Sequence, residues 1–225
     1  MGPPGAGKGT QAVGIAARPA PVLDVVADPV TGRTDDTTPN FTATAGNATG
    51  DNATVTVKVY STATPAVLLS TITATRSGAS VTVTDQNWAD ATGLTSLSNA
   101  TFTATVTQGD NVSNTATSTA ITFTVDTTAP SVSITAGPTN ASLSNLATAT
   151  FEFSSAATDV ARFECDLDGA GFGTCTSAAA LTGLADGSHT FRVRAVDTAG
   201  NVSSAQSRTW SVDRTAPVVS VTAPI

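Results

Sequence analysis

Apolar and polar residues alternate along most of the chain after residue 20. In residues 54–60, Val55, Val57 and Val59 fall on one face of an extended segment, and threonine and lysine fall on the other. A period of two with β-branched side chains predicts a half-buried strand. The same alternation recurs at 101–107, 120–125, 149–153, 189–196 and 209–212. After residue 20 the chain has no sustained 3.6-residue period, so an all-β protein is expected.

Asn, Asp and Gly cluster between the predicted strands. These clusters lie at residues 49–52, 108–111, 167–169 and 199–201. All three residue types tolerate the positive φ angles that tight hairpin turns require. Short strands separated by such turns are typical of antiparallel sheets packed as a β-sandwich.

A long internal repeat divides the chain. The segment 123–130 (Phe-Thr-Val-Asp-Thr-Thr-Ala-Pro) recurs at 210–217 (Trp-Ser-Val-Asp-Arg-Thr-Ala-Pro), and a Val/Ile-rich strand follows each copy. A fainter copy begins at residue 20. The two strong copies lie 87 residues apart. A period of this length suits a complete sandwich domain and is too long for a solenoid unit. We therefore predict a leader at 1–20, domains at 21–127 and 128–214, and the start of a further repeat at 215–225, with neighbouring repeats in a longer chain as partners.

The Asp-Thr-Thr-Ala-Pro junction, followed by a Val/Ile-rich strand, resembles the junctions of bacterial immunoglobulin-like repeat domains in large secreted and surface proteins. Residues 34–41 (Thr-Asp-Asp-Thr-Thr-Pro-Asn-Phe) resemble the start of the repeats in biofilm-associated adhesins, and 163–175 with 183–191 resemble another repeat of this kind. The resemblance implies tandem immunoglobulin-like β-sandwiches that are extracellular or at the cell surface. It also implies a non-catalytic spacer or adhesion stalk. Domain one departs from the pattern at 61–100, where its insertion is longer.

The first dozen residues resemble the phosphate-binding loop of adenylate kinases. That resemblance implies that glycine N–H groups approach phosphates, that a lysine reaches the β- and γ-phosphates and that a threonine contacts Mg²⁺. Such a loop works only between a buried strand and a helix, and Pro19 limits any helix that follows to about two turns, which is unstable alone. We therefore expect a non-native or disordered leader, and nucleotide binding only under a remote kinase alternative. The residues concerned are Gly2, Gly5, Gly7, Lys8, Gly9 and Thr10.

The two cysteines, Cys165 and Cys175, flank a predicted hairpin that turns at Asp168-Gly169. Cysteines at facing ends of a hairpin can reach disulfide geometry, and closing this short loop would stabilise the fold by roughly 2.5–3 kcal/mol. A disulfide would place the domain in an oxidising compartment. Two free buried thiols and half of a metal site are the alternatives, although two cysteines and one histidine form a poor zinc set.

Calcium at the domain junctions is a further hypothesis. Asp126 and Asp213 lie where one domain meets the next, and the turn residues Asp24, Asp28, Asp110 and Asp197 could lie near them. Calcium takes six to eight oxygen ligands, but no linear calcium-loop spacing is present. The alternative is that each carboxylate accepts hydrogen bonds from local turn amides.

Catalytic constellations are otherwise missing. His189 is the only histidine, and it is interpreted as a polar residue at a turn edge. The acidic pairs Asp35-Asp36 and Asp166/Asp168 fall in predicted turns, where conformation explains them. Trp88 and Trp210 are expected in the core or at strand ends and not on a sugar-binding surface.

Composition narrows the function classes. The net charge is −7, with ten Lys and Arg residues, which argues against nucleic-acid partners because a phosphate footprint needs clustered cations. No apolar run approaches 18 residues, so no membrane span is expected. The remaining hypotheses are a structural or adhesive module, a carbohydrate-binding accessory module of a secreted hydrolase, and the remote kinase. A glycan or protein ligand stays undefined, and no cofactor other than calcium is indicated.

Overall fold

The computed structural model describes residues 22–25 and 32–221. The predicted leader at 1–20, with its phosphate-loop-like peptide, lies outside the described residues, as do Asp28 and the last four residues of the segment 215–225. Of the strand at 22–25 only the backbone is described.

The first β-sandwich consists of two sheets that pack face to face. In chain order its elements are β1 (Val22–Val25), β2 (Arg33–Thr34), β3 (Phe41–Thr44), β4 (Asp51–Ser61), β5 (Leu68–Thr75), β6 (Ser80–Val83), α1 (Asp85–Ala89), β7 (Thr92–Gly93), β8 (Ala100–Asp110), β9 (Thr115–Thr117) and β10 (Ile121–Val125). Among the described residues, one sheet has the order β1-β3-β6. The other has the order β2-β10-β8-β4-β5-β7, with β9 paired to β8.

Within its described residues, the second β-sandwich repeats this topology without the helix and without strands that correspond to β7 and β9. Its strands are β11 (Ser133–Ala136), β12 (Leu143–Ser144), β13 (Thr148–Ser154), β14 (Val160–Leu167), β15 (Gly173–Cys175), β16 (Ala179–Thr182), β17 (Gly187–Asp197) and β18 (Gln206–Val212). The sheets have the orders β11-β13-β16 and β12-β18-β17-β14-β15. In both sandwiches the first strand region splits between the two sheets, and its second half (β2 or β12) pairs in parallel with the last strand.

Each sandwich has its own hydrophobic core. The alternation predicted at 54–60 and 101–107 is present, because Val55, Val57 and Val59 face inward on β4, as do the apolar residues of β8. Among the residues whose burial the structure describes, one core is formed by residues between 41 and 125 and the other by residues between 132 and 212. Each fully buried large side chain stabilises its sandwich by roughly 1.5–3 kcal/mol. The all-β sandwich fold is thus confirmed, while the exact domain limits stay a prediction.

Each core also holds one buried tryptophan. Trp210 lies on β18 and is 1% exposed. Trp88 is fully buried on α1, in the long insertion where the strand pattern was least regular, and its Nε1 donates to Pro39 O at 3.0 Å. The helix begins after Thr84, whose side chain and backbone form a capping box with Asn87. Both tryptophans are therefore core residues, and each reports on a different sandwich.

We predict that Ile72→Ala, at a fully buried position of β5, lowers the free energy of unfolding of the first sandwich by about 2–5 kcal/mol, because it leaves a cavity. Urea unfolding followed by Trp88 fluorescence in a Trp210→Phe background measures the effect. Leu68→Ala on the same strand is the control, since Leu68 is 48% exposed and should change stability by less than about 0.5 kcal/mol. An equal shift of the Trp210 transition in a Trp88→Phe background would contradict the separation of the cores.

Candidate functional site at the interdomain junction

The linker between the sandwiches continues directly from β10. The backbone N–H of Asp126 donates to Thr34 O at 2.8 Å, so the linker begins as an extension of the β2–β10 pairing. The Asp126 Oδ1 atom then accepts the N–H of Thr128 at 3.0 Å. Asn99 holds the other side, accepting the N–H of Thr127 at 2.9 Å and donating Nδ2 to the Thr128 hydroxyl at 2.6 Å. Side chains of the first sandwich thus hold the linker in one conformation.

Arg33 connects the two sandwiches. It extends from β2, and its Nη2 forms an ion pair with Asp126 Oδ2 and a second one with Asp159 Oδ2 at 3.0 Å. Asp159 precedes β14 in the turn after β13, so it belongs to the second sandwich. One guanidinium group therefore contacts both the linker and the second sandwich.

The turn between β17 and β18 completes the contact from the second sandwich. Asn201 donates Nδ2 to the main-chain oxygen of Asp126 at 2.7 Å. Asp197 shapes this turn, because its Oδ1 accepts the N–H groups of the three turn residues 199, 200 and 201 at 2.8–2.9 Å. The N–H of Thr198 donates to Asp159 O at 2.9 Å, which ties the two contacting turns to each other.

The charge of Asp126 is stabilised at this junction. Burial raises the pKa of the Asp126 carboxyl, but the N–H of Thr128 and the Arg33 guanidinium outweigh burial, and the net pKa is below the ordinary 3.8. A lowered folded-state pKa means that this stabilisation is present above the unfolded value and is lost as the pH falls through the folded value.

The acidic residues considered for calcium occupy different places. Asp126, Asp159 and Asp197 have carboxylate oxygens within 4.8 Å of one another, so the expected proximity of Asp197 to Asp126 is present. The cationic partner of Asp126 and Asp159 is Arg33, so calcium there would compete with a guanidinium group. Asp213 follows β18 at the opposite end of the second sandwich, and no shared site with Asp126 is possible. Calcium binding stays a prediction.

Two of the other acids considered for calcium also lie elsewhere. Asp110 accepts the N–H groups of Val112 and Asn114 in its own hairpin, at the end of β8 that is remote from Asp126. Asp24 lies on β1, in the three-stranded sheet.

Cys165 and Cys175 form the expected disulfide. They lie on β14 and β15, where Cys165 faces Gly173 and Cys175 faces Phe163, so the bridge runs diagonally between neighbouring strands. The hairpin turns at Asp168 and Gly169, which have φ angles of 57° and 81°. The turn residues that the sequence singled out are therefore the ones that adopt the left-handed region.

His189 is not a turn-edge residue, and that interpretation of the sequence is wrong. It is 8% exposed and faces inward from β17, paired across to Trp210, where the first sandwich has Phe102 paired to Phe123. Its Nδ1 lies 2.7 Å from Asp168 Oδ2, and its Nε2 lies 2.9 Å from Ala185 O. Both neighbours are acceptors, and only a doubly protonated ring donates to both. The Ala185 carbonyl and then the Asp168 carboxylate raise the pKa of His189 above 6.5.

The remaining acidic candidates serve local structure. Asp36 accepts the N–H and hydroxyl of Thr38, as expected for a turn residue. Asp166 lies on β14 and not in a turn, so that prediction is wrong. It is buried, and its carboxylate accepts the N–H of Gly171 at 2.7 Å and lies 2.6 Å from Arg192 Nη2. Burial raises the pKa of Asp166, but these donors lower it further, to a value below 3.8.

Phe172 lies partly exposed on the same surface of the second sandwich. The guanidinium carbons of Arg194 and Arg192 lie 4.1 and 5.4 Å from its ring centroid. A sugar stacked on the ring face next to these cations would have to displace them.

Sequence reasoning missed most of the junction. The repeat period could have indicated Asn99. It lies 87 residues before Asp186, and Asp186 forms hydrogen bonds to the linker after β18. Arg33 and Asp159 are single charged residues in irregular segments, and nothing in their spacing indicates that they meet. Their contact depends on how the two sandwiches are placed.

We predict that Arg33→Ala loosens the junction and leaves both cores intact. Losing a charge-assisted contact of about 1–2 kcal/mol lowers the ratio of docked to undocked molecules roughly 5- to 30-fold. ¹⁵N relaxation should then give each sandwich a shorter rotational correlation time. Arg76→Ala is the control, because Arg76 donates to main-chain oxygens of the first sandwich, at residues 51, 52 and 78. Unchanged correlation times in Arg33→Ala would refute the clamp.

We also predict that the second sandwich loses stability above neutral pH. The raised pKa of His189 means that its contribution is complete below about 6.5 and is lost as the pH rises through the folded value. Urea unfolding from pH 5.5 to 9, followed by Trp210 fluorescence in a Trp88→Phe background, measures it. His189→Phe, which copies the first sandwich, should remove this pH dependence. If the dependence persists in that variant, another group is responsible.

Comparisons with known proteins match one segment of the chain to a family model and most of the chain to a solved structure. Residues 86–160 match the family model described as "Bacterial Ig-like domain (group 3)". The match covers less than half of the chain and runs from α1 across the junction to the start of β14. Among solved structures, the chain resembles the fibronectin(III)-like modules of Clostridium thermocellum CbhA with a TM-score of 0.49 and 17% identity, over 85% of this chain and 94% of that one. No curated protein matches. No helix in the described part of the chain is long and apolar enough to span a membrane.

Proposed function

We propose that this chain is a non-catalytic structural module of a bacterial secreted or cell-surface protein, in which tandem sandwiches act as a spacer or adhesion stalk. The observation that carries the proposal is the junction. Arg33 contacts the linker and the second sandwich at once, and Asn201 contacts the linker from the other side. A stalk needs this property, because a fixed junction transmits direction from one module to the next.

The surface of the second sandwich is held by paired charges. On β14 and β17, Glu164 lies between Arg162 and Arg194, with nitrogen–oxygen distances of 2.9 and 2.7 Å, and Asp166 pairs with Arg192. The two arginines of β17 also cover Phe172. A cross-strand network of satisfied charges stabilises a sheet surface, and it offers no uncompensated group for catalysis.

The proposed location outside the cytoplasm rests on chemistry and on the family match. A disulfide persists in an oxidising compartment, and Cys165–Cys175 joins two strands of the second sandwich. The net charge of −7 favours mutual repulsion and solubility. Both properties suit an exposed stalk.

Force spectroscopy on the full chain, held at its two ends, tests the spacer function. We predict two separate unfolding events, because each sandwich has its own core. The disulfide spans a sequence separation of 10 residues, and an extended chain measures about 3.3–3.6 Å per residue. A reductant should therefore lengthen only one event, by about 30 Å.

The double variant Cys165→Ser/Cys175→Ser is the control, and a reductant should leave its event lengths unchanged. One cooperative event for the whole chain would contradict two modules in series. Turnover by the purified chain, or glycan binding lost on Phe172→Ala, would replace the spacer with an enzyme or a carbohydrate-binding module.

A further inference from the structure

The second sandwich repeats the elements that hold the linker in the first. Leu143 pairs with Ser211 as Arg33 pairs with Thr124. The N–H of Asp213 donates to Ser144 O at 2.8 Å, which matches the bond from Asp126 to Thr34. By this register Leu143 takes the place of Arg33. The hydroxyl of Ser144 accepts the N–H of Leu146 at 3.1 Å, as Thr34 accepts that of Asp36.

The linker after β18 begins with the same hydrogen bond as the linker between the sandwiches. Asp213 Oδ1 accepts the N–H of Thr215 at 3.0 Å, the distance also found between Asp126 and Thr128. Asp186 takes the place of Asn99, since it accepts the Arg214 Nε at 2.7 Å and the Thr215 hydroxyl at 3.1 Å. Contacts within the second sandwich are thus sufficient to set this linker.

Residues of the linker after β10 that are buried at the junction have exposed counterparts in the linker after β18. Asp126 and Pro130 are buried, but Asp213 and Pro217 are exposed. Val132 is 5% exposed, and its equivalent in the repeat, Val219, is 84% exposed. Leu143 and Leu146 are 72% and 60% exposed. Leu143 and Asp213 thus occupy the positions that Arg33 and Asp126 have in the first copy, where these two residues contact the second sandwich.

We propose that the surface formed by Leu143, Leu146 and Asp213, named here the distal face, is the docking surface for a third β-sandwich that begins at Pro217. This inference rests on the proposed function and specifies its next junction. The linker already begins with the hydrogen bond found at the first junction, and Val219 and Val221 repeat the strand that enters a core after the first linker. The distal face continues the geometry of a junction already present in the chain.

The chemistry of this second junction differs from that of the first. Arg33 requires an acid, and it meets Asp159 in the turn between β13 and β14. Leu143 carries no charge and gains free energy by burial, whereas an opposing carboxylate would be desolvated without a partner. The third sandwich therefore presents an apolar side chain at the position equivalent to Asp159.

A fusion tests the proposal: the full chain to Pro217 followed by residues 131–225 again. Leu143 is kept or changed by Leu143→Arg, and Asp159 of the appended copy is kept or changed by Asp159→Leu, which gives four proteins. The distal linker is the segment 213–217 after β18. Trypsin cleavage after Arg214 reports how often this linker is released from the neighbouring sandwiches, since the Arg214 side chain is 47% exposed. Arg214 of the appended copy is the internal control, because no sandwich follows it in the fusion. Mass spectrometry separates these cuts from any cut that Leu143→Arg introduces.

The matched pairs, Leu with Leu and Arg with Asp, should slow cleavage at the distal linker at least about threefold relative to both mismatched pairs. Contacting residues couple by roughly twofold to more than a hundredfold in an equilibrium constant. Equal rates in all four proteins would overturn the docking surface, while separate unfolding events under force would still support the spacer. A dimer of the unfused chain that Leu143→Arg dissociates would show that a second copy covers this face, and would also overturn the proposal.

Discussion

Burial of one face of each sheet against its partner sheet is the constraint on which the rest of the structure depends. This burial places the last strand of each sandwich beside a short parallel strand from the beginning of the same sandwich. The pairs are β2 with β10 and β12 with β18. The linker then leaves the sandwich as a continuation of that pairing. Asp126 and Asp213 both keep a backbone hydrogen bond to this strand, so the direction of the linker follows from the core.

The two linkers show how one backbone plan supports different surface chemistry. Both are held by an aspartate that accepts a threonine N–H and by a polar side chain that precedes β8 or β17. The side chain at the position that contacts the second sandwich in the first copy differs between the copies: it is Arg33 in one and Leu143 in the other. The backbone that directs the linker is therefore kept while the neighbouring surface changes from charged to apolar.

The histidine at position 189 is a departure inside an otherwise repeated core. Phe102 in the first sandwich needs no polar partner, whereas His189 in the same place has one at each ring nitrogen. The Asp168 partner is available because the disulfide-bridged hairpin brings this residue to the start of β17, where it also accepts the N–H of Thr190 at 2.7 Å. The second sandwich thus combines a covalent crosslink with a buried histidine whose pKa is raised by its hydrogen-bond partners.

Local pattern was sufficient for much of the fold, and tertiary placement decided the rest. The alternation at 54–60, the turn at Asp168-Gly169, the cysteine pairing and the repeated junction were all predictable, because strand periodicity, positive φ and hairpin geometry are local in sequence. The helix around Trp88, the inward position of His189 and the Arg33–Asp159 contact were not. Each depends on which side chains a packed neighbour brings within reach, and residues 126 positions apart, as Arg33 and Asp159 are, carry no local trace of that contact.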